Sequence, residues 1–168
     1  MDSEINLQKF VLPFAFLLGL IRISIDIIPK TLSFSAIPYY STFFIAFIVE
    51  IIFIVFIIKR FKKYNGILNL RQALKIGVIL MLITGLLYTS TSYLYDTYID
   101  PEFQINTAMS FVEKFAPDKI EETREQITIS RENTSALGIL TYTLWFVILG
   151  FIISLIAGSA MSTKVNIK

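Results

Sequence analysis

The sequence contains no cysteine and no histidine. Disulfides, thiolate nucleophiles, histidine bases and Cys/His zinc sites are thereby excluded. Charge is sparse as well: charged residues make up 17% of the chain and the net charge is +2. That excess is too small to point to nucleic acid. No H-E-x-x-H, G-x-S-x-G or glycine-rich phosphate loop occurs. Acidic pairs such as Asp96 and Asp100, or Glu121 and Glu122, are ordinary on exposed helices. An enzyme needs a nucleophile with a base, a metal cage or a phosphate cradle. None is visible, so no catalytic residue, cofactor or metal is expected. The start, Met1-Asp2-Ser3-Glu4, lacks the basic segment of a secretory leader, so the first apolar run is read as retained. The end, Val165-Asn166-Ile167-Lys168, matches no lipidation or retention signal.

Apolar residues are abundant. They form 55% of the chain, and its mean hydropathy is +0.68. A helix that spans a bilayer needs about 20 mostly apolar residues. Four runs qualify: Phe10 to Ile28, Ile37 to Ile58, Ile76 to Tyr95, and Leu137 to Met161. Lipid offers the backbone no hydrogen-bond partners, so runs of this length are helices. Pro29-Lys30 reads as the stop of the first run. Lys59-Arg60 closes the second. The residues from Thr31 to Ala36 leave room only for a tight hairpin loop. The expected fold is all-α: an integral membrane four-helix bundle over residues 1–168, with a short extramembrane helical hairpin between the third and fourth spans.

Cationic flanks set the orientation. Lys59, Arg60, Lys62, Lys63, Arg71 and Lys75 crowd the short loop between the second and third runs. Lys9, Lys164 and Lys168 fall on the same side. Lys30, Lys114, Lys119, Arg124 and Arg131 fall on the other. The positive-inside rule acts most strongly on short loops, so this loop and both termini are expected in the cytoplasm. Tyr39, Tyr40, Tyr93, Tyr95, Tyr98, Tyr142 and Trp145 lie toward the outer ends of their runs, where aromatic rings anchor at headgroup level. Only Tyr64 lies with the basic loop.

The segment from Asp96 to Ala136 carries nine acids against four bases. Asp100-Pro101-Glu102 reads as a helix start. Ile105, Ala108, Met109, Val112 and Phe115 then recur at helical spacing. Ala116-Pro117-Asp118 breaks that helix and opens a second, whose weaker face holds Ile120, Thr123, Arg124 and Ile127. The hairpin is either a solvated cover for helix ends or a recognition surface. Asn133-Thr134-Ser135 fits a glycosylation sequon, better read as a chance occurrence.

Three ionisable residues fall inside the runs: Arg22, Asp26 and Glu50. Each costs about 2.5–3.5 kcal/mol at mid-helix. Arg22 and Asp26 are four apart, so they share a face about 6 Å apart along the axis. They read as a local ion pair near the outer surface, or as the charged wall of an outward cavity. Glu50 sits deeper by about 8 Å of helix rise. It can reach Arg22 only if the two helices are adjacent; otherwise Thr84 or Thr89 is its partner. Its role is a packing hydrogen bond or a proton or cation site. The third run ends in Tyr88-Thr89-Ser90-Thr91-Ser92-Tyr93, and Thr89 and Ser92 join Arg22, Asp26 and Glu50 as the candidate intramembrane polar site. Small residues mark close packing: Gly150, Ser154 and Gly158 on the fourth run, Gly77 and Gly85 on the third, Ala15 and Gly19 on the first.

The stretch Asn65-Gly66-Ile67-Leu68-Asn69-Leu70-Arg71-Gln72-Ala73-Leu74-Lys75-Ile76-Gly77, with Tyr98-Ile99-Asp100-Pro101-Glu102-Phe103, resembles the family called domain of unknown function 4199. Its members are small inner-membrane proteins, mainly of Bacteroidota. The resemblance implies the same order of parts over nearly the whole chain and brings no activity or catalytic residue. Genes of this family often lie near those for polyprenyl-phosphate glycosyltransferases, which implies an envelope setting. The expected function is a non-enzymatic inner-membrane protein, a small subunit or scaffold of a cell-envelope complex with a membrane-protein partner or a second copy of itself. The alternative is a small oligomeric transporter or proton- or cation-coupled channel built on Glu50, Arg22 and Asp26. Against it stand the small number of helices and the absence of an internal repeat.

Overall fold

A computed structural model describes residues 6–132 and 136–163. The sequon at Asn133, the tail lysines Lys164 and Lys168, and the first residues read for a leader lie outside the described residues.

Helix α1 spans Leu7–Thr31. Its first turn is capped by Asn6, whose Oδ1 accepts the Lys9 N–H at 3.1 Å. Pro29-Lys30 does not stop it, contrary to the sequence reading. Pro29 removes one backbone N–H, but only Lys30 and Thr31 follow it in the helix. The stop comes at Ser33, whose φ of 50° is left-handed. The Ser33 N–H bonds the Lys30 carbonyl and the Phe34 N–H bonds the Pro29 carbonyl, both at 3.0 Å. This pair of bonds is the Schellman arrangement. Lys30 is therefore a helical residue one turn after Asp26.

Helix α2 spans Ala36–Asn65 and also outruns its expected end at Lys59-Arg60. At 30 residues it is about 45 Å long, against a hydrocarbon thickness of about 30 Å. Its last turns therefore stand in the headgroup layer, where lysines and arginines are at ease. Lys62 donates to the Met161 carbonyl at 2.7 Å. Gly66 then turns the chain at φ 74°, a conformation that costs a residue with a side chain.

Helix α3 spans Leu70–Leu94 and opens with a reciprocal cap. The Asn69 side chain accepts the Gln72 N–H at 2.8 Å, and the Gln72 side chain accepts the Asn69 N–H at 3.0 Å. A π-helical turn, Tyr95–Ile99, continues it and closes with the Asp100 N–H on the Tyr95 carbonyl. Then come α4, Phe103–Phe115; a short turn; α5, Ile120–Glu132; and α6, Ala136–Met161. Among the described residues there is no strand.

Helix α3 packs most extensively, on α6 and on α1, while α2 lies against α1 and α6. Small residues make the closest contact possible. A Cβ added to Gly77 would stand 2.5 Å from the Gly150 carbonyl oxygen and from Ser154. One added to Gly158 would meet Ala73, and one added to Gly85 would meet Phe146. The stripe on α6 thus faces α3 inside the bundle. Gly19 of α1 faces Leu87 in the same manner.

Below mid-height, toward the basic loop, the interior is a dry core. Val11, Ala15 and Leu18 meet Ile54, Ile57, Ile58 and Phe61, with Ala73, Ile76, Leu80 and Met81 from α3. The outside is as apolar as the inside. Phe44, Ile52, Ile156 and Leu140 are all more than 60% exposed. Only 17% of the most apolar stretch of α6 is buried. Water does not tolerate so continuous an apolar surface. Four helices are long and apolar enough to cross a bilayer, so the chain is a multi-pass membrane protein.

Helices α4 and α5 form the expected hairpin. Asp100 starts it by accepting the Phe103 N–H at 3.1 Å. Phe103 then packs edge-on against Tyr39 at 4.9 Å, and Phe111 against Tyr40 at 5.5 Å. Aromatic edges thus fasten α4 to the first turns of α2. Helix α5 packs on α4.

Candidate intramembrane polar site

Two charge clusters lie inside the bundle, one above the other. The deeper one joins Arg22 of α1 to Glu50 of α2. Nε of Arg22 is 3.3 Å from Oε1 of Glu50, and each side chain is about 95% buried. Three rings from the other helices surround the guanidinium. Tyr88 of α3 lies 3.9 Å from its central carbon, Phe43 of α2 5.6 Å and Phe146 of α6 6.0 Å. Ring faces are electronegative, so they share with Glu50 the work of holding a cation in a dry place. The ion pair lacks hydrogen-bond geometry: Nε and Nη1 of Arg22 and Oε1 of Glu50 have no hydrogen-bond partner. It is attraction by charge and ring, without the directional bonds that make a guanidinium–carboxylate pair strong.

The outer cluster is fully bonded. Lys30 Nζ reaches Asp26 Oδ2 and Asp96 Oδ1, each at 2.8 Å, and donates to Ser92 at 3.1 Å. That uses all three ammonium hydrogens. Tyr39 donates to Asp26 Oδ1 at 3.1 Å and accepts from Gln104 of α4 at 3.0 Å. Gln104 also lies 3.4 Å from Asp96 Oδ2. Ser92 Oγ is 3.3 Å from Asp26 and 3.2 Å from Asp96, so its single hydrogen serves one carboxylate at a time. Four elements meet here: α1, α2, α3 with its π turn, and α4. The cluster is also what ties the hairpin to the spans.

The sequence offers Arg22 and Asp26 as an ion pair or a cavity wall, and Arg22 with Glu50 if the helices are adjacent; the structure joins Arg22 to Glu50 and Asp26 to Lys30. Asp26 finds Lys30 one turn onward, which is possible because α1 continues through Pro29. Arg22 turns instead to Glu50 and the rings, because α1 and α2 are adjacent. Thr84, considered as a partner for Glu50, donates to the Ala15 carbonyl at 3.3 Å and so braces α3 on α1. Thr89 donates to the Gly85 carbonyl and lies 3.1 Å from Thr143 of α6. Of the five candidate site residues, then, Asp26 and Ser92 share one cluster, Arg22 and Glu50 form the other, and Thr89 stands apart on the α6 side. Lys30, Tyr39, Asp96 and Gln104 were missed. Their signals are present only in part: Asp26 and Lys30 have ion-pair spacing, but Pro29-Lys30 reads as a helix stop.

Beside the outer cluster, and sharing Tyr39, Ser92, Asp96 and Gln104 with it, a cavity of about 840 Å³ opens among α2, α3, α4, α5 and α6. Its walls are tyrosine rings, hydroxyls and aliphatic side chains, and Phe43 and Tyr88 belong both to it and to the rings around Arg22. Among the described residues no group of three or more carboxylates could hold a metal ion.

The model of a protein family, described as protein of unknown function (DUF4199), matches residues 11–163. The chain belongs to that family. The family region takes in all four spans, the hairpin and both charge clusters. No curated protein and no solved structure matches the chain.

Proposed function

We propose that the protein is a non-enzymatic subunit or scaffold of a cell-envelope complex, set in a bacterial inner membrane with both termini in the cytoplasm. The observation that carries this reading is α5. It is a 13-residue helix whose Glu121, Glu122 and Glu125 are exposed, and among the described residues it packs chiefly on α4. So short a helix with an exposed acidic face gains little from its own fold. A partner with a basic surface would supply the missing contacts, on the outer side of the membrane. The basic end of α2 suits anionic headgroups on the other side.

The transport alternative finds less support. The intramembrane charges Arg22, Asp26 and Glu50 are engaged with neighbours within the chain, and the apolar core beneath them offers ions no path through a single copy.

A photo-crosslinking residue at Glu125, introduced into the full chain in native membranes, tests the reading. We expect a discrete adduct to another membrane or envelope protein, which also co-purifies. Isolation of the chain alone, with no adduct, would remove the proposal.

A further inference from the structure

The cavity at the hairpin end has a chemistry that the scaffold reading does not use. Its volume of about 840 Å³ falls within the range of small-molecule sites, about 300–1,000 Å³. Rings of Tyr40, Phe43, Tyr88, Tyr93 and Tyr142 line it. Among the described lining residues only one is charged, and it is Asp96. Asp96 belongs to a cluster of two carboxylates and a single ammonium, Asp26, Asp96 and Lys30. The other buried cation, Arg22, faces Glu50. The outer cluster therefore carries one negative charge in excess, and the member with solvent access, 27% exposed, is the one on the cavity wall.

From these observations we infer that the cavity binds an organic cation with apolar substituents. Aromatic faces attract such ions; Tyr88 and Phe43 already face Arg22, which leaves Tyr40, Tyr93 and Tyr142 for a ligand. The surplus carboxylate supplies the second attraction. The segment that supplies α4 and α5 holds nine acids and four bases, a net negative field that favours cations over anions. An anion would meet Asp96 with no spare donor on Lys30, and a neutral ligand would leave the excess charge unmatched. The ligand chemistry, an alkylated ammonium beside apolar groups, has two sources: a free amphiphilic amine, or the amine headgroup of a neighbouring lipid.

The test uses the full chain in uncharged maltoside micelles and equilibrium dialysis, with empty micelles subtracted. Tetraphenylphosphonium is the probe, and tetraphenylborate has the same shape with the opposite charge. The phosphonium should bind at least about tenfold more tightly than the borate. Asp96→Asn should weaken it about tenfold, and Tyr142→Leu about twofold to fivefold, as expected for an exposed cation–π contact. Tyr142 is 66% exposed and touches neither charge cluster, so that variant decides the matter even if Asp96→Asn misfolds. Displacement of the phosphonium by added phosphatidylethanolamine assigns the site to a lipid headgroup; binding without displacement assigns it to a free cation. Equal binding of the two probes, or phosphonium binding unchanged in Tyr142→Leu, overturns the inference.

Discussion

Arg22 and Glu50 illustrate how a charge survives in hydrocarbon. Neither would remain at its depth alone, where the insertion penalty is about 2.5–3.5 kcal/mol each. Together they are 3.3 Å apart and backed by Tyr88 and Phe43. Breaking a buried pair strands the survivor at about 3–5 kcal/mol, whereas replacing both partners with apolar side chains is often neutral. The pair lacks directional bonds, so little specific energy is lost with it. We therefore expect Arg22→Met and Glu50→Leu each to destabilise the protein by about 3 kcal/mol. The double variant should recover most of that loss. Unfolding in mixed micelles, arranged as a double-mutant cycle, measures the coupling; additive losses would mean that the two residues do not act as a pair.

Among the elements, α3 and α6 depend most on small residues. At Gly77 there is no room for a methyl group, because the Gly150 carbonyl oxygen and Ser154 already fill the position. Gly77→Ala must push the helices apart, and overpacking of this kind costs about 1–3 kcal/mol. Gly138, on the same α6, has nothing within 4 Å of an added Cβ. There the exchange should be neutral or stabilising by about 0.5–1 kcal/mol, through helix propensity alone. Thermal unfolding of the two variants in one detergent distinguishes packing from propensity. A loss at Gly138 equal to that at Gly77 would contradict the close approach of α3 and α6. Element ends were harder to read than element bodies. Pro29-Lys30 and Lys59-Arg60 look like stops when only local chemistry is considered. Lys30 stays helical and buried because Asp26, Asp96 and Ser92 surround its ammonium, and those partners come from other parts of the chain. The end of α2 persists because its cations stand in the headgroup layer or cap a neighbour, as Lys62 does at Met161.

For the whole molecule, the spans alternate in direction. The basic loop and the first and last described residues gather at one end, and the hairpin lies at the other. In the proposed topology, which follows the positive-inside rule, the loop end is the cytoplasmic one. Compartment-sensitive reporters fused at Asn65 and at Pro117 should accordingly report opposite sides, cytoplasmic and external. Agreement between the two would mean that the order of spans is wrong.

What the sequence determined by itself was the number of spans, the hairpin between the last two, and the small-residue faces. These follow from local quantities: hydrophobic length, helical spacing and side-chain volume, each legible without knowing any neighbour. The tertiary structure alone decided which charge meets which. Arg22 has a nearer carboxylate in sequence than Glu50, and Lys30 stood outside the span as read. Electrostatic partnership depends on distance in space and on exclusion of water, and only the packing of α1 against α2 and α3 supplies both. The cavity is of the same kind, since its walls come from five helices and no single stretch of the chain contains it.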